Sequence, residues 1–261
     1  MDLTEYRNRE IERERIANLM GLVHPGRSVL DVGARDGHIS RMLLERFDSV
    51  TALDLEKPAI SDERITCVQG TVTNLPFPPD TFDVVLCAEV LEHIPPDQLP
   101  CACQELMRVA KSSVVVGVPF KQDIRVGRTT CAQCGRINPP WGHVNTFHEG
   151  RLRELFSGYA IDAVTFVGEN RECTNGVSTF LMDWAGNPYG TYSQEEPCVF
   201  CGGKLGRPRS MGLQEKLLAK LGVWIQRFCS LWQRSHPNWI HLRLAKKGGE
   251  MCADRLDTRN L

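Results

Sequence analysis

Ser28-Val-Leu-Asp-Val-Gly-Ala-Arg-Asp-Gly-His-Ile-Ser40 places a short apolar run, a loop bracketed by two glycines and the start of a helical pattern in direct succession. A short apolar run bounded by turn signals reads as a buried strand. Gly33 and Gly37 give the loop backbone conformations and close approaches that a side chain would block. The Gly-x-x-x-Gly spacing lacks the Gly-x-Gly-x-x-Gly phosphate fingerprint of dinucleotide-binding proteins. A strand, a glycine loop and a helix in this order still predict a ligand site at the carboxyl end of the strand.

The surrounding residues extend the pattern. Residues 2–20 are charged and helix-prone, with Asp2 and Glu5 spaced as a capping box and Gly21 placed to end the helix. Ile39 to Phe47 has helical spacing. Ser49–Asp54, Arg64–Gln69, Phe82–Cys87 and Ser112–Val118 read as further strands, and Asp97 is placed to cap a helix to about Ala110. Thr146 and Glu149 have capping-box spacing for a helix to about Phe156, and Ala160–Val167 reads as a sixth strand. Residues 170–210 look irregular, Met211–Trp232 amphipathic, and Trp239–Ala245 like a half-exposed final strand. Strands alternating with helices predict an α/β fold with a largely parallel sheet covered on both faces. Ligand-contacting groups then gather at the strand carboxyl ends, where the glycine loop, Asp54 and the stretch after Cys87 all fall. A carboxylate at Asp54 is placed to accept hydrogen bonds from both hydroxyls of a ribose.

The 261 residues are 42% hydrophobic and 24% charged, ordinary for a globular protein. No apolar run has membrane-span length, and the N-terminus has no secretory apolar region, so the expected location is the cytoplasm. In that reducing compartment paired cysteines point to metal rather than disulfide. The net charge of -1 conceals an asymmetry: residues 203–247 hold ten Lys and Arg against the single acid Glu215.

Val29-Leu-Asp-Val-Gly-Ala-Arg-Asp-Gly37 resembles motif I of class I S-adenosylmethionine (SAM) methyltransferases. Gln69–Phe77, Asp80-Thr-Phe-Asp-Val-Val-Leu-Cys-Ala-Glu-Val-Leu-Glu-His-Ile-Pro95 and the turn at Arg108-Val-Ala are similar to the methyltransferase type 11 domain, and the likeness covers roughly residues 27–167. It implies a Rossmann-like seven-stranded sheet with the last strand antiparallel. It also implies a SAM site with Asp31, Gly33 and Gly37 at the methionine end, Asp54 at the ribose and Thr71-Val72 at the adenine edge. Ala34, Arg35, Leu55 and Glu89 complete that set. The loop's missing phosphate fingerprint agrees, because SAM has no phosphate. Two residues depart from the family pattern: Arg35 stands at the usual middle glycine, and Thr71 where an acid ordinarily meets the adenine amino group. Asn-Pro-Pro-Tyr-like residues, common in methyltransferases of nucleobase amines, are replaced by Cys87-Ala-Glu-Val90.

Cys131-Ala-Gln-Cys134-Gly135 and Cys198-Val-Phe-Cys201-Gly202 share a Cys-x-x-Cys-Gly pattern. Each such turn converges two thiolates, and two turns supply the four sulfurs of a closed, structural zinc site. A redox dithiol and ordinary cysteines are the other readings. In the class I topology both pairs would leave the sheet on its ligand side and meet over the substrate mouth.

His93 and His143 are candidates for a base that deprotonates a hydroxyl acceptor, and each can equally be a structural hydrogen-bonding residue. Leu217, Leu221, Trp224, Phe228 and Leu231 line one helical face with Lys216, Lys220, Arg227 and Arg234 around it. That helix suits packing on the sheet or the zinc lobe, a peripheral membrane contact, or RNA. The expected organisation is a helical segment at 1–26, a methyltransferase domain at 27–247 and a polar tail at 248–261. Within the domain lie a zinc lobe (121–145 and 190–210) and the helix 211–234. The expected activity is methyl transfer to a small-molecule or glycan-type acceptor, at oxygen. An RNA methyltransferase and a non-catalytic methyltransferase-like binding protein are the alternatives.

Overall fold

The computed structural model describes residues 9–207 and 212–246. The proposed capping box at Asp2 and Glu5, the start of the amphipathic helix at Met211 and the tail 248–261 lie outside the described residues.

Helix α1 (Glu10–Leu22) precedes strand β1 (Gly26–Val32), helix α2 (His38–Leu43) and strands β2 (Phe47–Asp54), β3 (Ile65–Gln69) and β4 (Phe82–Ala88). A 3-10 turn over Leu91–His93 leads to α3 (Leu99–Val109) and β5 (Ala110–Pro119). A small hairpin of β6 (Thr129–Thr130) and β7 (Ile137–Asn138) follows, then α4 (Glu149–Leu155), β8 (Tyr159–Val167), α5 (Gly176–Trp184), α6 (Leu213–Ser230) and β9 (Trp239–Lys246). The seven long strands form one sheet in the order β3-β2-β1-β4-β5-β9-β8. Pairs from β3 through β5 are parallel, and β9 runs antiparallel to both β5 and β8. This is the expected class I methyltransferase sheet.

Side-chain alternation along each strand divides the core in two. Leu30, Val32, Val85, Cys87, Val114 and Val116 pack beneath Ala102 and Leu106 of α3, Leu152 of α4 and Phe156 at the end of α4. The intervening Val29, Val84, Leu86 and Val115 face Ile16, Leu19 and Leu43 of α1 and α2. Period-2 apolar residues buried on both faces give the near-continuous valine-leucine runs seen in the sequence.

Several element limits differ from those read in the sequence, each for a local reason. Helix α1 runs through Gly21, because Leu22 and Val23 are buried and the helix ends only beyond the core contact. Asp97 does not cap α3. Pro95 O accepts the amides of Gln98 and Leu99, so a backbone turn starts that helix. Thr146 does not cap α4, since Phe147 is held extended in a bridge to Phe120 and His148 becomes the N-cap, its ring accepting the Arg151 amide. Residues 176–184 of the stretch read as irregular are helical, capped by the Asn175 side chain on the Ser178 amide. Strand β9 is interior rather than half-exposed, with Ile240, His241, Leu242 and Leu244 buried between β5 and β8.

Candidate functional site: a strand-end acid, a buried carboxylate and a four-thiol lobe

The Gly33–Gly37 loop, the expected donor loop, is held by the end of β2. Gly33 and Ala34 donate backbone hydrogen bonds to Leu53 O at 2.8 and 3.2 Å, and Arg35 N donates to Asp54 Oδ2 at 2.8 Å. Leu55 N donates to Asp54 Oδ1 at 2.7 Å. Each Asp54 oxygen thus accepts one backbone N–H and keeps lone-pair capacity for a diol. Gly33 and Gly37 have φ of 81° and 78°. A Cβ on Gly33 would come within 2.4 Å of Val90, and one on Gly37 within 2.2 Å of Ile60. The space freed by both glycines is therefore filled by apolar side chains that press the loop into place.

Asp31, at the end of β1, is buried and accepts a hydrogen bond from Ser40 Oγ at 2.6 Å. Burial pushes its carboxyl up to about 6, with Ser40 working in the opposite direction. Arg35 has φ of 47° and turns its guanidinium outward to Glu195, with Nη2 3.0 Å from Oε2. It lies against the cysteine lobe instead of filling the cradle. Leu55 is 70% exposed and offers an apolar wall beside Asp54. Thr71 Oγ1 pairs with Thr73 Oγ1 at 2.9 Å in the turn after β3, while the Val72 side chain belongs to the core.

The turn after β4 forms the neighbouring wall. Glu89, at a left-handed φ of 57°, accepts Trp239 Nε1 at 3.2 Å, with Arg15 Nη1 3.9 Å away. Burial raises its pKa, and Arg15 and Trp239 oppose the rise. Glu92 is fully buried, and neither of its carboxylate oxygens has a hydrogen-bond partner among the described residues. Desolvation, with the Glu89 charge second, holds its pKa well above the carboxylate range. Its backbone carbonyl accepts the amides of Val144 and Asn145, which brings the loop carrying His143 onto this turn.

His93 and His143 stack edge to face with ring centroids 4.7 Å apart. His143 Nδ1 lies 2.7 Å from Gln122 Oε1, an acceptor, so this nitrogen carries the proton and Nε2 keeps its lone pair. Burial drives His143 down to about 3 and also lowers His93, where Glu196 acts in opposition. One ligand atom from each of Glu92, His93 and His143 lies within 4.8 Å of the others. Such a set can relay a proton or take a divalent cation. The sequence reading placed Glu92 with Glu89 and His93 after strand four, beside the expected methyl donor, and gave a role only to the histidines; the burial of Glu92 is decided by the fold.

The four predicted cysteines converge. Cys131 Sγ lies 3.7 Å from Cys201 Sγ, and Cys134 Sγ lies 3.6 Å from Cys198 Sγ. All four sulfurs fall within 4.8 Å of one another. A disulfide needs about 2.05 Å, whereas tetrahedral ligands at about 2.3 Å from zinc sit about 3.8 Å apart. The two turns repeat one geometry: Gly135 N donates to Cys131 O and Gly202 N to Cys198 O, with φ of 71° and 70° at the glycines. The lobe has its own small core of Cys131, Tyr192, Cys198 and Leu205. It reaches the donor loop through Glu195 on Arg35, and Gly142, from the loop preceding His143, packs between His93 and Glu196.

The comparisons with known proteins agree with this fold and match one stretch of the sequence. Residues 30–116 match the family model described as "Methyltransferase domain". Malonyl-[acyl-carrier protein] O-methyltransferase of Serratia marcescens is 33% identical over 102 residues, 37% of this chain and 39% of that protein. Ubiquinone biosynthesis O-methyltransferase of Proteus mirabilis is 34% identical over 94 residues, 32% of this chain and 38% of that protein. The matches thus span about two fifths of these relatives' length. The N-methyltransferase NodS from Bradyrhizobium japonicum WM9, solved with S-adenosyl-L-homocysteine, superimposes with a TM-score of 0.51 at 14% identity, covering 92% of this chain and 89% of that one. The class I methyltransferase fold carries a methyltransferase-domain sequence over residues 30–116.

Proposed function

We propose that this chain is a SAM-dependent methyltransferase that methylates an oxygen of a small-molecule or glycan-type acceptor. The observation that carries the reading is Asp54, whose two oxygens are oriented by the amides of Arg35 and Leu55 beside a loop whose left-handed turns are made by Gly33 and Gly37. Asp31 would take the methionine ammonium, Asp54 the ribose, and Leu55 one face of the adenine. SAM, when bound, supplies an electrophilic methyl on a sulfonium.

The chain's own task is to hold the acceptor in line with that methyl and to exclude water. His93 carries a lowered pKa and is neutral at physiological pH, the form that accepts a proton from a hydroxyl. Glu92 and His143 border it and complete the acceptor-side wall. The oxygen preference is consistent with the two O-methyltransferase relatives, within the limits of their partial match. The four thiols would take one zinc ion whose coordination shell is complete, so the ion would brace the lobe and would not activate a substrate.

Calorimetry with SAM and its demethylated product tests the central claim. We expect binding of both, weakened at least about tenfold by Asp54→Ala, the loss of hydrogen bonds to a charged group costing about 1.5–3 kcal/mol. Folded protein that binds neither compound would favour the non-catalytic alternative.

A further inference from the structure

Helix α6 is turned the wrong way round for a helix that stabilises a water-soluble core. Of its residues only Ala219 and Gly222 are buried. The seam is built from small groups: Gly222 meets Met182 and the Ser178 carbonyl of α5 so closely that a Cβ would lie 3.1 Å from Met182, and Ser178 Oγ donates to Gly222 O at 2.7 Å. The bulky apolar stripe faces outward instead. Leu217, Leu221, Trp224, Phe228 and Leu231 are all exposed, Trp224 by 64% and the adjoining Trp232 by 71%. Trp224, Phe228 and Trp232 contact one another in sequence, with ring centroids 5.8 and 4.9 Å apart. On α5, Val177, Phe180 and Trp184 repeat the pattern at helical spacing, with Trp184 66% exposed.

Lys216, Lys220, Arg227 and Arg234 are exposed around the α6 stripe, against the single acid Glu215. An amphipathic helix with tryptophan and leucine on one face and cations beside it seats in the interface of an anionic bilayer. Three observations favour that occupant. The leucines of the stripe offer no π-face to nucleic-acid bases, whose recognition relies on stacking. A two-fold self-association would bring like charges together across the axis. No helix among the described residues is long and apolar enough to cross a membrane, so the segment would lie on the surface.

We propose that α5 and α6 form a peripheral docking surface for an anionic lipid bilayer. Both helices are inserted between Val167, at the end of β8, and Trp239, at the start of β9. Trp239 pairs with Pro119 at the carboxyl end of β5 and hydrogen-bonds Glu89. The docking helices therefore leave the sheet at the end that carries the donor loop and the His93 wall. Docking would turn that mouth toward the bilayer and give access to acceptors held in it.

Flotation of the full chain with vesicles of phosphatidylcholine, with and without phosphatidylglycerol, tests the proposal and needs no SAM. The expected result is partition into the phosphatidylglycerol vesicles alone, a tryptophan emission shift to shorter wavelength, and loss of binding at high salt. Each basic residue near such a surface contributes about fivefold, so Lys216→Glu with Lys220→Glu should reduce partition by at least about tenfold. Trp224→Ala with Phe228→Ala should weaken partition and reduce the emission shift, leaving the part contributed by Trp184 and Trp232. Both double variants alter exposed positions, and circular dichroism should show an unchanged fold. Failure of the wild type to float with anionic vesicles would overturn the proposal. So would unchanged partition of the charge-reversal variant, or a dimer in solution that Trp224→Ala/Phe228→Ala dissociates without any effect on vesicles.

Discussion

Arg35 and Glu195 join the donor loop to the cysteine lobe, Nη2 to Oε2 at 3.0 Å, across most of the sheet domain's sequence. Arg35, at the middle of the Gly33–Gly37 loop, thus ties that loop to the lobe. The arrangement has an energetic limit, because both side chains are about half exposed. Exposed ion pairs contribute about 0.2–1 kcal/mol.

Arg35→Ala should therefore shift the melting temperature by less than about 3 °C while increasing proteolysis within residues 190–207. Arg35→Gly should be better tolerated, since it removes the strain of a left-handed φ, about 1 kcal/mol for a non-glycine residue. A thermal melt and limited proteolysis of both variants check this. Equal proteolysis of wild type and Arg35→Ala would show that the pair does not brace the lobe.

The proposed contact of Asp31 with the methionine ammonium of SAM predicts a pH dependence for donor binding. Its folded-state pKa is about 6, raised by burial. A cationic methionine end prefers the ionised carboxylate, so affinity is complete above pH 7 and lost as pH falls through 6. Between pH 7 and 5 the ionised fraction of this group drops roughly tenfold, and SAM affinity should drop with it. Asp31→Asn should bind more weakly at neutral pH and show a flat profile over this range by calorimetry.

Glu92 ionises at a cost in the folded state because burial raises its pKa. A raised carboxyl pKa penalises the fold once pH exceeds the unfolded value near 4.3, and the penalty grows until the folded pKa is passed. Glu92→Gln should thus be at least as stable as wild type at pH 8 and lose that advantage at pH 4. Methyl transfer should fall by at least about a hundredfold in His93→Ala, the low end of general-base contributions. A pH series of chemical denaturation reads the first outcome, and product formation the second.

The four-thiol lobe should hold one zinc per chain by elemental analysis. Cys131→Ser or Cys198→Ser should lose the metal and lower the melting temperature by about 5 °C or more, given the several kcal/mol of a structural zinc site. The paired α/β core should remain folded, because both sheet faces are packed without contribution from the lobe. Wild-type protein that is folded and metal-free would remove zinc from the account.

The Gly33–Gly37 loop and Asp54 were legible in the sequence because their determinants are local. A strand, a loop and a helix in consecutive residues must place Gly33, Arg35 and Gly37 together, and Asp54 ends the next strand. The cysteine pairs were legible for the same reason, since each Cys-x-x-Cys-Gly turn is complete within five residues. Helix α5 was missed although Asn175 and the apolar spacing of Val177, Phe180 and Trp184 announce it. The glycine-rich surroundings obscured an ordinary N-cap. The false cap at Thr146 failed through a distant partner, because Phe120 holds Phe147 extended.

By itself the sequence determined the order of the seven long strands, the Gly33–Gly37 loop with Asp54 after it, and the two Cys-x-x-Cys-Gly turns, all set by backbone preference and side-chain periodicity within a few residues. Only the tertiary structure decided which way Arg35 points, that Glu92 is buried beside His93 and His143, and that α6 turns its small residues inward. Those outcomes depend on which surfaces meet across a hundred or more residues. Burial and charge pairing act between neighbours in space, and the sequence alone does not say which neighbours those will be.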